Sequence, residues 1–116
     1  MSMSDCIFCK IANGEIPSTR IYENDDVFVI NDIEPVSKVH ALIITKKHCE
    51  NLLALDIDDA GLLRNLHLAA REAAARLSVG ETGFRLITNC GEDGGQTIAH
   101  LHFHLIGGQK LGPRIM

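Results

Sequence analysis

At 116 residues and 46% hydrophobic, the chain can fill one core but not two, so it reads as a single domain over 1–116. With 11 Lys+Arg against 15 Asp+Glu the formal net charge is −4, the wrong sign for a groove that tracks a nucleic-acid backbone. Apolar runs such as 27–30, 41–44 and 52–55 fall far short of the ~20 residues that cross a bilayer, and residues 1–5 lack the basic start of a signal peptide. A cytoplasmic protein with neither a nucleic-acid nor a membrane partner is expected.

In chain order, Cys6-Ile7-Phe8-Cys9 is half a zinc site, a redox pair or two ordinary thiols, and the redox reading is the weakest because no strand precedes it. Residues 5–13 predict a short helix stopped by Gly14, with Pro17 closing the next turn. Strands over 20–23 and 26–31 flank the hairpin signal Asn24-Asp25. A bend at 32–35 leads into a β-branched, apolar strand over 39–45. Residues 56–79 predict a long helix, with Asp56, Asp58 and Asp59 at its start and Gly80 beyond its end. Its leucines and its alanines at 69, 70, 73 and 74 form one face for the sheet or a partner chain, and His67 falls between Arg64 and Arg71 on the solvated face. Cys49 and Cys90 read as small half-buried hydrophobes. A strand over 84–89, a glycine loop over 90–96 and a last strand over 100–106 complete one α+β domain.

The last strand carries the chemistry. His100-Leu101-His102-Phe103-His104-Leu105 alternates, so its three histidines are expected on one face and its apolar residues on the other. Three imidazoles on one face crowd titratable groups where no structural need exists. They suit either a zinc ion that activates water or a neutral imidazole that attacks phosphorus. The adjacent loop favours the second, because Gly91, Gly94 and Gly95 let backbone N–H groups approach an anion, and Gln96 and Thr97 add neutral donors.

The run from Gly94 to Ile106 resembles the histidine triad signature. Ile7-Phe8 with Lys10-Ile11, Glu15-Ile16-Pro17, Asp32-Ile33 with Pro35, His40, Lys46-Lys47-His48 and Gly107-Gly108 are similar to the Hint branch of that family. The resemblance implies an antiparallel sheet of about five strands with one long and one short helix, continued across a homodimer. It implies hydrolysis of purine nucleoside 5′-phosphoramidates (AMP or GMP conjugates) through a nucleotidyl-histidine on His102. In that picture His104, His40 and His100 complete the catalytic group. Asn89, Gly95, Gln96 and Thr97 contact the phosphate, Asp32 holds the ribose hydroxyls, and Ile7, Phe8, Ile11, Ile33 and Leu42 line the base pocket. Cys6, Cys9, His48 and His100 would hold a structural zinc, with no organic cofactor and no metal in the chemical step. The family also contains dinucleoside polyphosphate hydrolases and nucleotidyl transferases, and a nucleotide-binding adaptor is the reading from another class.

Overall fold

The computed structural model describes residues 5–116. Its elements are α1 (Ile7–Ala12), β1 (Tyr22–Glu23), β2 (Val27–Asn31), β3 (Val39–Thr45), a 3-10 turn (Leu52–Ala54), α2 (Ala60–Arg76), β4 (Phe84–Ile87) and β5 (His102–Gly107). The strands form one antiparallel sheet in the order β1-β2-β3-β5-β4, as the resemblance implied. Among the described residues no helix is long and apolar enough to cross a membrane.

Both faces of the central strands are covered, which explains why β2 and β3 carry apolar runs, residues 27–30 and 41–44, rather than alternating. Val27, Val29, Ala41, Ile43 and Leu105 pack under α2, whose buried residues are Ala69, Ala70, Ala73 and Ala74. Side chains that small let the helix lie close to the sheet. On the opposite face Phe28, Ile30, Leu42 and Ile44 meet Cys6, Phe8 and Ile11 of the α1 segment. In the β3–β5 register Leu42 faces His104 and Ile44 faces His102. Cross-strand partners share a face, so His102 and His104 emerge on the α1 side.

Several elements are shorter than the sequence pattern predicts, each for a local reason. The long helix starts at Ala60 because the Asp56 carboxylate takes the Asp58 N–H in a turn, leaving Asp59 as the cap that accepts the Leu62 N–H. It ends at Arg76, where Ser78 takes a positive φ of 59°. The first helix spans only Ile7–Ala12, since Cys6 is extended and Gly14 turns the chain at φ 87°. Strand β1 keeps only Tyr22 and Glu23, while Arg20 leaves the ladder and reaches the Ile11 carbonyl at 2.9 Å. Strand β4 stops at Ile87, after which the Thr88 hydroxyl donates to the His102 carbonyl at 2.8 Å in place of a ladder bond.

Candidate active site

The largest departure from the pattern lies at the start of β5, which begins at His102 and not at His100. Residues 98–100 are bent: the His100 N–H donates to the Ile98 carbonyl at 2.9 Å and the Leu101 N–H to the Cys49 carbonyl at 2.6 Å. The bend takes His100 out of the alternation, so the three histidines serve two sites rather than one.

His100 is fully buried against the cysteines. Its Nε2–H donates to the Thr45 carbonyl at 2.7 Å, which leaves the Nδ1 lone pair 3.2 Å from Cys6 Sγ and 3.6 Å from Cys9 Sγ. His48 Nδ1 lies 3.2 Å from Cys9 Sγ. The four donor atoms of Cys6, Cys9, His48 and His100 all lie within 4.8 Å of one another. Two sulfurs and two imidazole nitrogens suit tetrahedral zinc, and a ligating histidine usually donates its other N–H to a carbonyl, as His100 does. The residues therefore fit the metal. Burial and the neighbouring Cys6 push the Cys9 thiol up to about 11, so without a cation the Cys9 thiol would keep its proton at neutral pH.

His102 is buried at 7% exposure and holds a defined tautomer. Its Nδ1–H donates to the His100 carbonyl at 2.7 Å, so Nε2 carries the free lone pair. The Phe8 ring packs against it in a T-shape at 4.9 Å, and the His104 ring centroid lies 5.1 Å away. His104 Nδ1 lies 2.9 Å from His40 Nε2, which is also 3.3 Å from Asp32 Oδ2. The other Asp32 oxygen accepts the Glu34 N–H at 2.8 Å, and His40 Nδ1 accepts the Val36 N–H at 3.1 Å. Burial, then the neighbouring His102 and His40, hold His104 below the ordinary imidazole range.

The glycine loop is built differently from the open cradle its composition suggests. The Gly91 N–H donates to Gln96 Oε1 at 2.9 Å and the Gly95 N–H to the Glu92 carbonyl at 3.0 Å, so neither is available to an anion. The Gln96 amide donates to the Glu50 carbonyl at 2.7 Å and the Ile98 carbonyl at 3.0 Å, and Asn89 donates to the Gly94 carbonyl at 2.7 Å. These side chains, expected as phosphate donors, tie the loop to itself and to the segment after β3. Thr97 is exposed. Of the apolar set, Phe8, Ile11 and Leu42 share the α1-side core, whereas Ile7 is 46% and Ile33 95% exposed. Cys49 and Cys90 are half-buried and His67 is exposed, as their sequence context predicts. Thr45, which fixes the His100 ring, escaped the sequence reading because its partner is 55 residues away.

Gly94 gives a direct check on the loop. A Cβ there would lie 2.5 Å from the Cys90 carbonyl oxygen, which is backbone and cannot swing aside. Gly94→Ala is expected to destabilise by about 1–3 kcal/mol, measured by thermal melting. Gly61→Ala on α2 is the contrast: its Cβ meets only Asp59 Oδ1 at 3.7 Å, and a gain of roughly 0.5–1 kcal/mol is expected. Equal effects from the two would contradict this loop conformation.

A five-stranded antiparallel sheet that presents two adjacent histidines from one strand, with a third turned into a Cys-Cys-His-His group, defines the class as a histidine triad fold. A family model described as scavenger mRNA decapping enzyme C-term binding matches residues 5–114. An uncharacterized HIT-like protein of Synechocystis is 44% identical over 107 residues, covering 92% of this chain and 93% of that one. The structure of a HIT family hydrolase from Clostridium thermocellum superposes with a TM-score of 0.93 at 46% identity, covering 99% of this chain and 100% of that one. A histidine triad nucleotide-binding protein from Candida albicans superposes at 0.79 with 33% identity, over 87% of this chain and 73% of that one. The chain belongs to the histidine triad family.

Proposed function

We propose that this protein is a hydrolase of purine nucleoside 5′-phosphoramidates, AMP or GMP joined to an amine, with His102 as the nucleophile. The observation that carries the reading is the 2.7 Å bond from His102 Nδ1–H to the His100 carbonyl, which leaves Nε2 unprotonated and held in place. In the first step Nε2 bonds to phosphorus and the P–N bond breaks. The amine departs with the bonding pair and takes a proton from water. In the second step water attacks the phosphorus, giving a proton to the hydroxide left by the first step, His102 leaves with its electron pair, and the nucleoside monophosphate is released. His104 donates to a non-bridging oxygen as charge develops. Asp32 binds the ribose diol, each carboxylate oxygen keeping a lone pair beyond those used by Glu34 and His40. Thr97, exposed just after the loop, would contribute its hydroxyl near the leaving group. Phe8, Ile11 and Leu42 form the apolar floor for the base, with Ile7 and Ile33 at its rim. Cys6, Cys9, His48 and His100 would hold a structural zinc, whose chemistry would be to cross-link α1 to the segment after β3 and the segment before β5.

A homodimer belongs to the same reading. The edge strand β4 leaves Phe84 and Leu86 39% and 45% exposed on its α2 side, where they line a groove with Leu66, an apolar strip that a second copy would cover by continuing the sheet. Acid quenching during turnover of an AMP–amine conjugate tests the chemistry: mass spectrometry is expected to find AMP on a peptide containing His102, and the native protein to fly as a dimer. Steady turnover with no such adduct at any quench time would overturn the mechanism. The matching decapping-enzyme model favours one second reading, cleavage of a P–O–P linkage in a dinucleoside polyphosphate or by transfer of the nucleotidyl group. Parallel rates on an AMP–amine conjugate and a diadenosine polyphosphate separate the two.

A further inference from the structure

We propose that the main-chain N–H of Val36 sets the proton positions of the His40–His104 pair, so that His104 meets a phosphate with an N–H and not with a lone pair. The final clause rests on the function proposed above; the proton positions do not.

Asp32 Oδ1 accepts the Glu34 N–H at 2.8 Å and the Asp32 N–H donates to the His40 carbonyl at 2.9 Å, closing a turn that aims the Val36 N–H at His40 Nδ1, 3.1 Å away. A ring nitrogen that accepts from an N–H carries no proton. His40 is therefore neutral, with its proton on Nε2. Asp32 Oδ2, 3.3 Å from that nitrogen, would by itself favour the imidazolium, but the imidazolium needs a proton on Nδ1, where Val36 already donates. His104 Nδ1 is 2.9 Å from His40 Nε2. Two N–H groups cannot face each other there, so His104 Nδ1 accepts. Burial together with His102 and His40 keeps His104 below the ordinary imidazole range, so it holds one proton, on Nε2.

Two rings on one strand face thus carry opposite tautomers. His102, fixed by the His100 carbonyl, presents a lone pair; His104, fixed through His40 by the Val36 amide, presents a donor. An attacking atom and a neutral acceptor of negative charge stand side by side without any cationic side chain. The same hydrogen bond bears on the grouping of Asp32, His40 and His104, whose ligand atoms lie within 4.8 Å of one another. A cation on His40 Nε2 would leave that ring with no proton at either nitrogen, an imidazolate, so the cluster is a hydrogen-bonded chain and not a second metal site. The Val36 side chain, 72% exposed, takes no part.

Long-range 15N–1H NMR of the histidine ring nitrogens, on the protein as purified with its metal, tests this directly. In the wild type, Nε2–H is expected for His40 and His104 and Nδ1–H for His102. Val36→Pro removes the N–H; His40 and His104 are then expected to show mixed tautomers, and kcat on an AMP–amine conjugate to fall by about 10- to 100-fold with KM within about 2-fold. Val36→Ala keeps the N–H and is expected to restore both the tautomers and kcat. An Nδ1–H on wild-type His40 or His104, or Val36→Pro matching Val36→Ala in tautomer and kcat, would overturn the proposal. Should Val36→Pro fail to fold, the wild-type spectrum alone decides. Tautomers as expected in a wild type that turns over no phosphoramidate would uphold the proton assignment and overturn the function.

Discussion

Replacing His102 by asparagine is expected to lower turnover of an AMP–amine conjugate by about 10⁴-fold or more, while AMP binding, measured by calorimetry, changes by no more than about 3-fold. A loss of that size corresponds to about 5.4 kcal/mol of transition-state stabilisation. It follows from removing the atom that bonds to phosphorus rather than one that assists it. Asparagine is chosen because its amide can still donate to the His100 carbonyl, now taken by His102 Nδ1–H at 2.7 Å, and still fill part of the space against Phe8. The buried side chain is thus exchanged without leaving that carbonyl unpaired. Residual activity near the wild-type rate would show that His102 is not the nucleophile. A wild type that binds AMP tightly but turns over no phosphoramidate would instead favour a nucleotide-binding adaptor.

Much of this arrangement was readable in the sequence, and the parts that were not share one cause. Strand β3 spans Val39–Thr45 as its β-branched, apolar run predicts, and β2 differs by a single residue at its start. These are local patterns, set by propensity and by burial on both faces. The alternation in β5 correctly separates His102 and His104 from Phe103 and Leu105, which lie on the α2 side. It fails at His100, because the choice between continuing the strand and bending is made by the Cys49 carbonyl and the two cysteines, one of them 94 residues away. Gln96 fails for the same reason. Its composition suggests a free donor beside a phosphate, but the Glu50 carbonyl, 46 residues away in sequence, takes that amide. Val36 is the extreme case, since the group that matters is a backbone N–H and no side chain marks it. Side-chain chemistry was legible; which polar partner satisfies each donor was settled by tertiary neighbours.

Stripping zinc with a strong chelator is expected to lower the melting temperature by about 15 °C. A bound ion at a free concentration about a thousandfold above its Kd adds about 4.1 kcal/mol, and each kcal/mol shifts the melting temperature of a domain this size by about 4 °C. A shift, rather than outright unfolding, is expected because two of the four donors favour their neutral forms without metal: the Cys9 thiol is pushed up to about 11, and burial holds His100 below the ordinary imidazole range. Cys9→Ser is expected to melt at the lowered temperature whether or not zinc is present. At temperatures where both forms remain folded, turnover is expected to fall without vanishing. The metal reaches the reacting atom through His100, whose ring belongs to the Cys-Cys-His-His group while its carbonyl orients His102 at 2.7 Å, and through Phe8, which lies between Cys6 and Cys9 and packs on the His102 ring. Immediate and complete loss of turnover on chelation, with the fold intact, would mean that the ion itself activates water. A melting temperature indifferent to both the chelator and Cys9→Ser would mean that the four donors, although within 4.8 Å of one another, hold no structural ion.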